Sequence, residues 1–165
     1  MAQMQLDKLF YETLKDIYFA ERKILKALPR MARGAQSAEL KAAFEKHREE
    51  TETQVERLTQ VFEIIGKRAQ AKTCDAIEGI IAEGEEILEQ FKDAPALDAG
   101  LLAAAQAVEH YEITRYGTLK RWAQALGMND AAKLLDETLK EEIKTDKDLT
   151  LLADKAVNPK ALEAA

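Results

Sequence analysis

The chain has one cysteine, three prolines and seven glycines in 165 residues. Cys74 has no second thiol to pair with, so no internal disulfide can staple the fold. Proline and glycine this sparse argue against turn-rich β architectures and favour long, uninterrupted helices. No apolar run of about 18 residues reads as a membrane span, and the N-terminus lacks the basic-then-apolar pattern of a secretory leader. A cytoplasmic location is therefore expected. A basic excess is missing as well: 24 Lys and Arg stand against 30 Asp and Glu, a net charge of −6. Phosphate binding needs a concentrated cationic face, whereas these lysines are interleaved with acids, so the composition argues against a nucleic-acid partner. Cations are the natural ligands.

What the chain does hold is Ala, Leu, Glu and Lys. With 47% hydrophobic and 33% charged residues it reads as a globular chain long enough to bury a core as one domain, residues 1–165. Apolar residues recur every three or four positions in long segments bounded by Gly, Pro, Ser, Asn or Asp, which predicts an all-α fold of five helices. Helix 1 is expected over about 5 to 32, kinked by Pro29 and ended by Gly34. Helix 2 follows Ser37 as N-cap and runs to Ile65, closed by a left-handed Gly66. A shorter third helix, 75 to 92, opens with Asp75 and Glu78 at capping-box spacing and stops before Pro95. Helix 4 follows Asp98 and ends at Gly127, and helix 5 runs from after Asn129 to about Ala156, leaving a short tail with Asn158 and Pro159. Two tight hairpins are thus separated by roughly 30 residues, far more than antiparallel neighbours need. A helical crossover of that length can run the height of the bundle and make helices 2 and 4 parallel. The predicted fold is a ferritin-like four-helix bundle with its crossover packed on the outside.

The core-facing seams of such a bundle are apolar at their ends and acidic in the middle. Helix 1 presents Phe10, Leu14, Ile17, Glu21, Ile24 and Leu28. Helix 2 presents Leu40, Phe44, His47, Thr51, Gln54, Leu58 and Val61, with Glu50 beside the seam. Helix 4 presents Leu101, Ala105, Val108, Glu112, Leu119 and Ala123, flanked by Glu109. Helix 5 presents Leu135, Thr138, Glu142, Leu149 and Leu152, with Asp146 four residues after Glu142. Counting from the tight turns gives an independent depth. Glu21 lies 12 residues before Arg33 and Glu50 13 after Ser37, while Glu112 lies 15 before Gly127 and Glu142 13 after Asn129. At about 1.5 Å per residue all four acids fall roughly 20 Å in, near mid-bundle. Carboxylates buried at close range repel and lose hydration, and two divalent cations would cancel both costs. Oxygen-rich ligation with at most one histidine suits iron first and manganese second, and also accepts magnesium or calcium.

The stretches "YFAERKILKALPRMA", "KHREETETQVERL", "VEHYEITRYGTL" and "TLKEEIKTDKDL" resemble ferritin-like di-iron carboxylate proteins, and most closely the bacterial stress-protein family that includes YciE and YciF. The pattern also resembles rubrerythrin in its single helix 1 glutamate, its Glu109 and Glu112 pair and its helix 5 acid with a partner four residues on. The resemblance implies Glu21, Glu50, Glu109, Glu112 and Glu142 as metal ligands, with His47 and Asp146 as further candidates. It departs from that pattern where Thr53 replaces the histidine of a Glu-x-x-His on helix 2, and where Asp146 stands at a rubrerythrin-type histidine position. The carboxylate count predicts two ions per chain about 3.5 to 4 Å apart, a centre that would act on dioxygen or peroxide. A structural or binding bundle without turnover is the alternative. A homodimer is expected from Trp122 and Tyr111, which lie off the inner seam. Tyr18 and Tyr116 lie one turn from Glu21 and Glu112, within reach of the carboxylates or as core packing. His110 and the acidic run Glu83, Glu85, Glu86 and Glu89 read as surface, and Cys74 shows no pairing.

Overall fold

The computed structural model describes residues 5–163, so residues 1–4 and 164–165 of the expected 1–165 domain lie outside the described residues. Among the described residues there is no strand, and no helix is long and apolar enough to cross a membrane. The helices are α1 (Leu6–Gly34), α2 (Ala38–Ile64), α3 (Asp75–Gln90), α4 (Leu97–Ala125) and α5 (Asn129–Leu152). The chain then continues through a π-helical turn, Ala153–Val157, into a short α6 (Asn158–Glu163). The residues beyond Ala156, expected as a tail, are therefore helical. Pro159 has no N–H and its ring crowds the carbonyl four residues back. The widened turn before it lets the helix continue in spite of this.

Local chemistry sets most of the ends. Ser37 caps α2 by accepting from the Leu40 amide at 3.2 Å. Gly66 and Gly127 are left-handed, at φ 68° and 73°. Each closes its helix with a paired terminus: Gly66 and Lys67 donate to Glu63 and Phe62, and Gly127 and Met128 to Gln124 and Ala123. Some of the ends differ in detail. Asp75 begins α3 without capping it, because Cys74 holds the N-cap position. Asn129 is already helical. Gly34 ends α1 as expected, as its last helical residue. A Cβ there would lie 2.2 Å from Leu88 of α3, so glycine is needed for close approach.

Around the bundle α1 neighbours α2, α2 neighbours α5, α5 neighbours α4 and α4 neighbours α1, while α3 lies outside against α1 and α4. Asp98 fixes the direction of the return. It sits in the first turn of α4, and its carboxylate accepts from the Gln36 and Ser37 amides, each at 2.7 Å. The start of α4 is thus tied to the turn where α1 ends and α2 begins, so α2 and α4 point the same way and the crossover spans the bundle. The seams are those expected except on α4, where Glu109 and Tyr116 are buried and Val108 is only partly so, and at the end of α5, where Leu152 is only partly buried. Buried residues on α4 follow the four-three spacing Ala105, Glu109, Glu112, Tyr116, Leu119 and Ala123. Trp122 and Tyr111, read as interface residues, pack partly buried against the chain's own core. The acidic face of α3 is surface as expected, with Glu85 and Glu89 paired to Arg30.

Asp98 satisfies two orphan amides from a nearly dry position, and removing it should leave both unmet. Asp98→Ala is expected to cost about 2–3 kcal/mol in a urea melt, and Asp98→Asn, with one acceptor oxygen left, about half as much. Equal stability of all three proteins would contradict this role.

Candidate metal centre

Every helix of the bundle sends one polar group or more to the same level. Glu21 of α1, Glu109 and Glu112 of α4, and Glu142 of α5 are between 0% and 1% exposed, and His47 of α2 is 4% exposed. One donor atom from each of His47, Glu109, Glu112 and Glu142 lies within 4.8 Å of all the others. Metal bonds of about 2.0–2.3 Å place opposite donors roughly 4 to 4.6 Å apart, so these four nearly fit one coordination sphere as they stand. Glu21 joins from the α1 side, near enough to Glu112 for each carboxyl to affect the other's charge.

Protein donors reach only part of this cluster. The Tyr116 hydroxyl donates to Glu21 Oε1 from a fully buried position. Gln54, also fully buried, donates its amide to Glu142 Oε1 and, at 3.1 Å, to Glu141 Oε2. Glu141 is held in turn by Arg57, which places Nη1 and Nη2 2.9 Å from its two oxygens. His47 Nδ1 lies 2.8 Å from Glu109 Oε1 without forming a hydrogen bond to it. Left without any partner are Glu21 Oε2, His47 Nε2, both oxygens of Glu109, both of Glu112 and Glu142 Oε2. Buried polar atoms are nearly always satisfied, so these mark a place built for a further group. Six carboxylate oxygens and one imidazole nitrogen are a donor set that suits iron or manganese. The residues therefore fit the metal that the sequence resemblance implies.

Burial and crowding show in the acidities. Glu21 is raised to about 7, first by burial and then by the charge of Glu142. Glu109 is raised to about 8, again chiefly by burial. Glu112 and Glu142 lie well above the usual carboxylate range, through burial followed by the neighbouring acids. Burial, and then Glu21, also hold the Tyr116 phenol well above its ordinary value, which keeps it a donor.

Of the seven residues proposed from sequence, five thus meet at one level. Glu50 and Asp146 stand at its margin. Glu50 is half-buried, 3.5 Å from Thr145 Oγ1 and 3.4 Å from Lys46. Asp146, also half-buried, is paired with the exposed His110 at 3.2 Å and with Gln106 at 3.2 Å. Tyr18 is a packing residue, edge-on to Phe62. Cys74 does have a partner, the Tyr111 hydroxyl at 3.0 Å, which a separation of 37 positions hid from sequence reading. Gln54 was legible as a seam residue but not as a group that orients Glu142. The signal was a polar side chain two helical turns from His47 on the same face.

Residues 5–162 match the family described as a domain of unknown function, DUF892. The chain belongs to that family. It is 44% identical over 162 residues to Protein YciF of Escherichia coli strain K12, covering 98% of each chain. The crystal structure of that stress protein superposes with a TM-score of 0.90, at 94% coverage of this chain and 99% of the other. YcfI of Rhodopseudomonas palustris, a proposed structural protein, gives a TM-score of 0.86 at 43% identity, covering 88% and 93%. A protein of Xanthomonas campestris shares the fold, with a TM-score of 0.75 at 22% identity over 97% and 98%.

The raised carboxyls set a pH dependence for this DUF892 chain in metal-free form. A carboxyl near 7 or 8 when folded and near 4.5 when unfolded binds more protons in the folded state across that interval. Stability must then fall as pH rises through it. On the acid side Glu12 and Asp136, held low by hydrogen bonds from Lys15 and Lys120, act in the opposite sense. Chelator-treated protein should melt highest near pH 5 and progressively lower toward pH 8.5. A melting temperature that is flat or rising over that range would count against a dry acid cluster.

Proposed function

We propose that this chain is a metal-binding protein of the stress response, in which Glu21, His47, Glu109, Glu112 and Glu142 hold two transition-metal ions, iron first and manganese second. The observation that supports this reading most directly is the set of seven buried carboxylate and imidazole atoms left without partners. Bound iron or manganese would supply the one-electron chemistry for reducing dioxygen or peroxide, with ferrous ion as the electron source.

The chain's own residues prepare the site for such a charge. Glu109 and Glu112 lie three apart on α4 and present carboxylates one turn from each other. Gln54 fixes which oxygen of Glu142 turns inward, and Tyr116 does the same for Glu21. Such outer contacts hold a ligand in its rotamer and tune its basicity. His47 offers Nε2, which has no other partner and lies 3.9 Å from Glu112 Oε2. The apolar layers on either side keep bulk water away from the reacting groups. Asp146 would act from the edge, through His110 and Gln106.

The description of YcfI as a proposed structural protein supports a second reading, a bundle whose ions only stabilise it. In either case we propose a cytoplasmic homodimer. The exposed Ile143 and Leu151 of α5 offer apolar area for it, and light scattering giving only the monomer mass would refute it.

Metal content separates the main proposal from a metal-free bundle. Protein purified without chelator, or titrated anaerobically with ferrous ion, should reach two ions per chain, and consumption of peroxide or dioxygen by the loaded protein would then distinguish turnover from mere stabilisation. Glu112→Leu removes one mutually repelling acid and extends the apolar seam of α4. The metal-free mutant should therefore be more stable by about 1–3 kcal/mol in urea, while the metal-dependent rise in midpoint shrinks sharply. Wild-type stoichiometry in this mutant would overturn the assignment of Glu112 as a ligand.

A further inference from the structure

Two cavities reach His47. The first, about 40 Å³, lies under α3 between apolar walls that include Ile24, Leu28, Ile80, Ile81 and Val108, with Arg30 among its lining residues. The second, about 80 Å³, lies between α2 and α5. Its exposed or half-exposed lining carries Lys46, Glu50, Thr145 and Asp148, and its buried lining Phe44, His47 and Leu149. Both end at the same imidazole, but the one carboxylate lining the first, Glu85, is held by Arg30 at 2.8 Å, whereas the second is lined by both Glu50 and Asp148.

A divalent ion moving from water to a buried site must exchange its hydration shell for protein oxygens, and in the first passage the guanidinium of Arg30 already occupies the one carboxylate, Glu85, beyond which the walls are apolar. The α2–α5 cavity offers them in sequence. Glu50 and His47 are three residues apart on α2, hence on one face of the helix. Glu50 is weakly engaged: Thr145 stands at 3.5 Å, and Lys46, whose side chain is 55% exposed, at 3.4 Å. Exposed lysine pairs of this kind contribute little and exchange readily for a competing cation. Asp148 is likewise in an exposed lysine pair, with Lys144 at 2.6 Å, and lies nearer solvent than the half-buried Glu50. Beyond Glu50 the next donor lining the cavity is His47, nearly dry and with Nε2 unpartnered. Glu50 is also absent from the four residues whose donor atoms converge on one point.

We propose that the cavity between α2 and α5 is the way in for divalent cations, with Glu50 as the carboxylate that takes an ion from solvent and passes it to His47. This rests on the metal-binding reading above, and it assigns Glu50 a kinetic role in place of a place in the final coordination sphere.

The test separates rate from capacity. Chelator-treated full-length protein is mixed with cobalt(II), uptake is followed by stopped-flow visible absorption, and the final content is measured by elemental analysis. Glu50→Gln should load about tenfold or more slowly than wild type, as expected when a focusing charge is lost from a narrow mouth, and should reach wild-type content. Glu52→Gln, an exposed acid on the same helix, and Arg30→Gln, at the other cavity, should load at the wild-type rate. An unchanged rate in Glu50→Gln, or equal slowing in Glu52→Gln, overturns the route while leaving the metal site standing. A lower final content in Glu50→Gln overturns it differently, by making Glu50 a ligand. Wild-type protein that takes up no cobalt removes both the site and its route.

Discussion

The constraint on which the rest of the structure depends is the burial of four carboxyl groups at one level of a helical bundle. Each loses its hydration, and this burial, together with the neighbouring acids, pushes its pKa well above the usual carboxylate range. The metal-free protein must meet this cost by taking up protons, and the surrounding layers must be strong enough to hold the level together. Phe10, Leu14 and Ile17 on one side, and Ile24, Leu40 and Phe44 on the other, are almost completely buried. At about 1.5–3 kcal/mol for each fully buried large apolar side chain, a few such layers offset the several kcal/mol that an acid cluster costs.

The crossover completes this enclosure. A bundle of four helices leaves the groove between α1 and α4 open along its length, and α3 lies against both. Its fit depends on small residues. A side chain at Gly34 would run into Leu88, one at Gly100 into Ile87, and one at Gly84 would press on Met31. Asp98 then pins the end of the crossover to the turn between α1 and α2. The length of the spacer, read from sequence as a passage across the bundle, thus has two consequences: parallel α2 and α4, and a closed wall beside the acids.

How far the site could be read from sequence follows from what helical spacing encodes. Counting residues from a tight turn measures height along the bundle, and that measure was sound for Glu21, Glu112 and Glu142. It says nothing about rotation around the helix axis. Glu50 has the correct height but sits about 100° from Thr51, the buried residue beside it, and so lies on the flank of α2. On α4 the same ambiguity ran the other way: a seam drawn through Val108 left Glu109 on the flank, whereas the chain buries Glu109 and Tyr116. The partners of Cys74 and of Glu142 were illegible for another reason. They depend on contacts across 37 and 88 positions, which no local pattern specifies.

The composition of α2 bears on how many ions such a site would hold. At the level of the cluster this helix contributes His47, Thr51 and Gln54, all buried and none of them acidic. The negative charge therefore comes from Glu21, Glu109, Glu112 and Glu142 alone, four units when all are ionised. One divalent ion would leave two units uncompensated in a dry core, and acids as hard to ionise as Glu112 and Glu142 would keep protons to cancel them. Two divalent ions would balance four carboxylates without retained protons, leaving His47 free to be neutral, the form in which imidazole binds metal. Low dielectric makes any remaining charge costly. Electroneutrality, more than the number of donor atoms, would therefore favour the two ions proposed for this site over one.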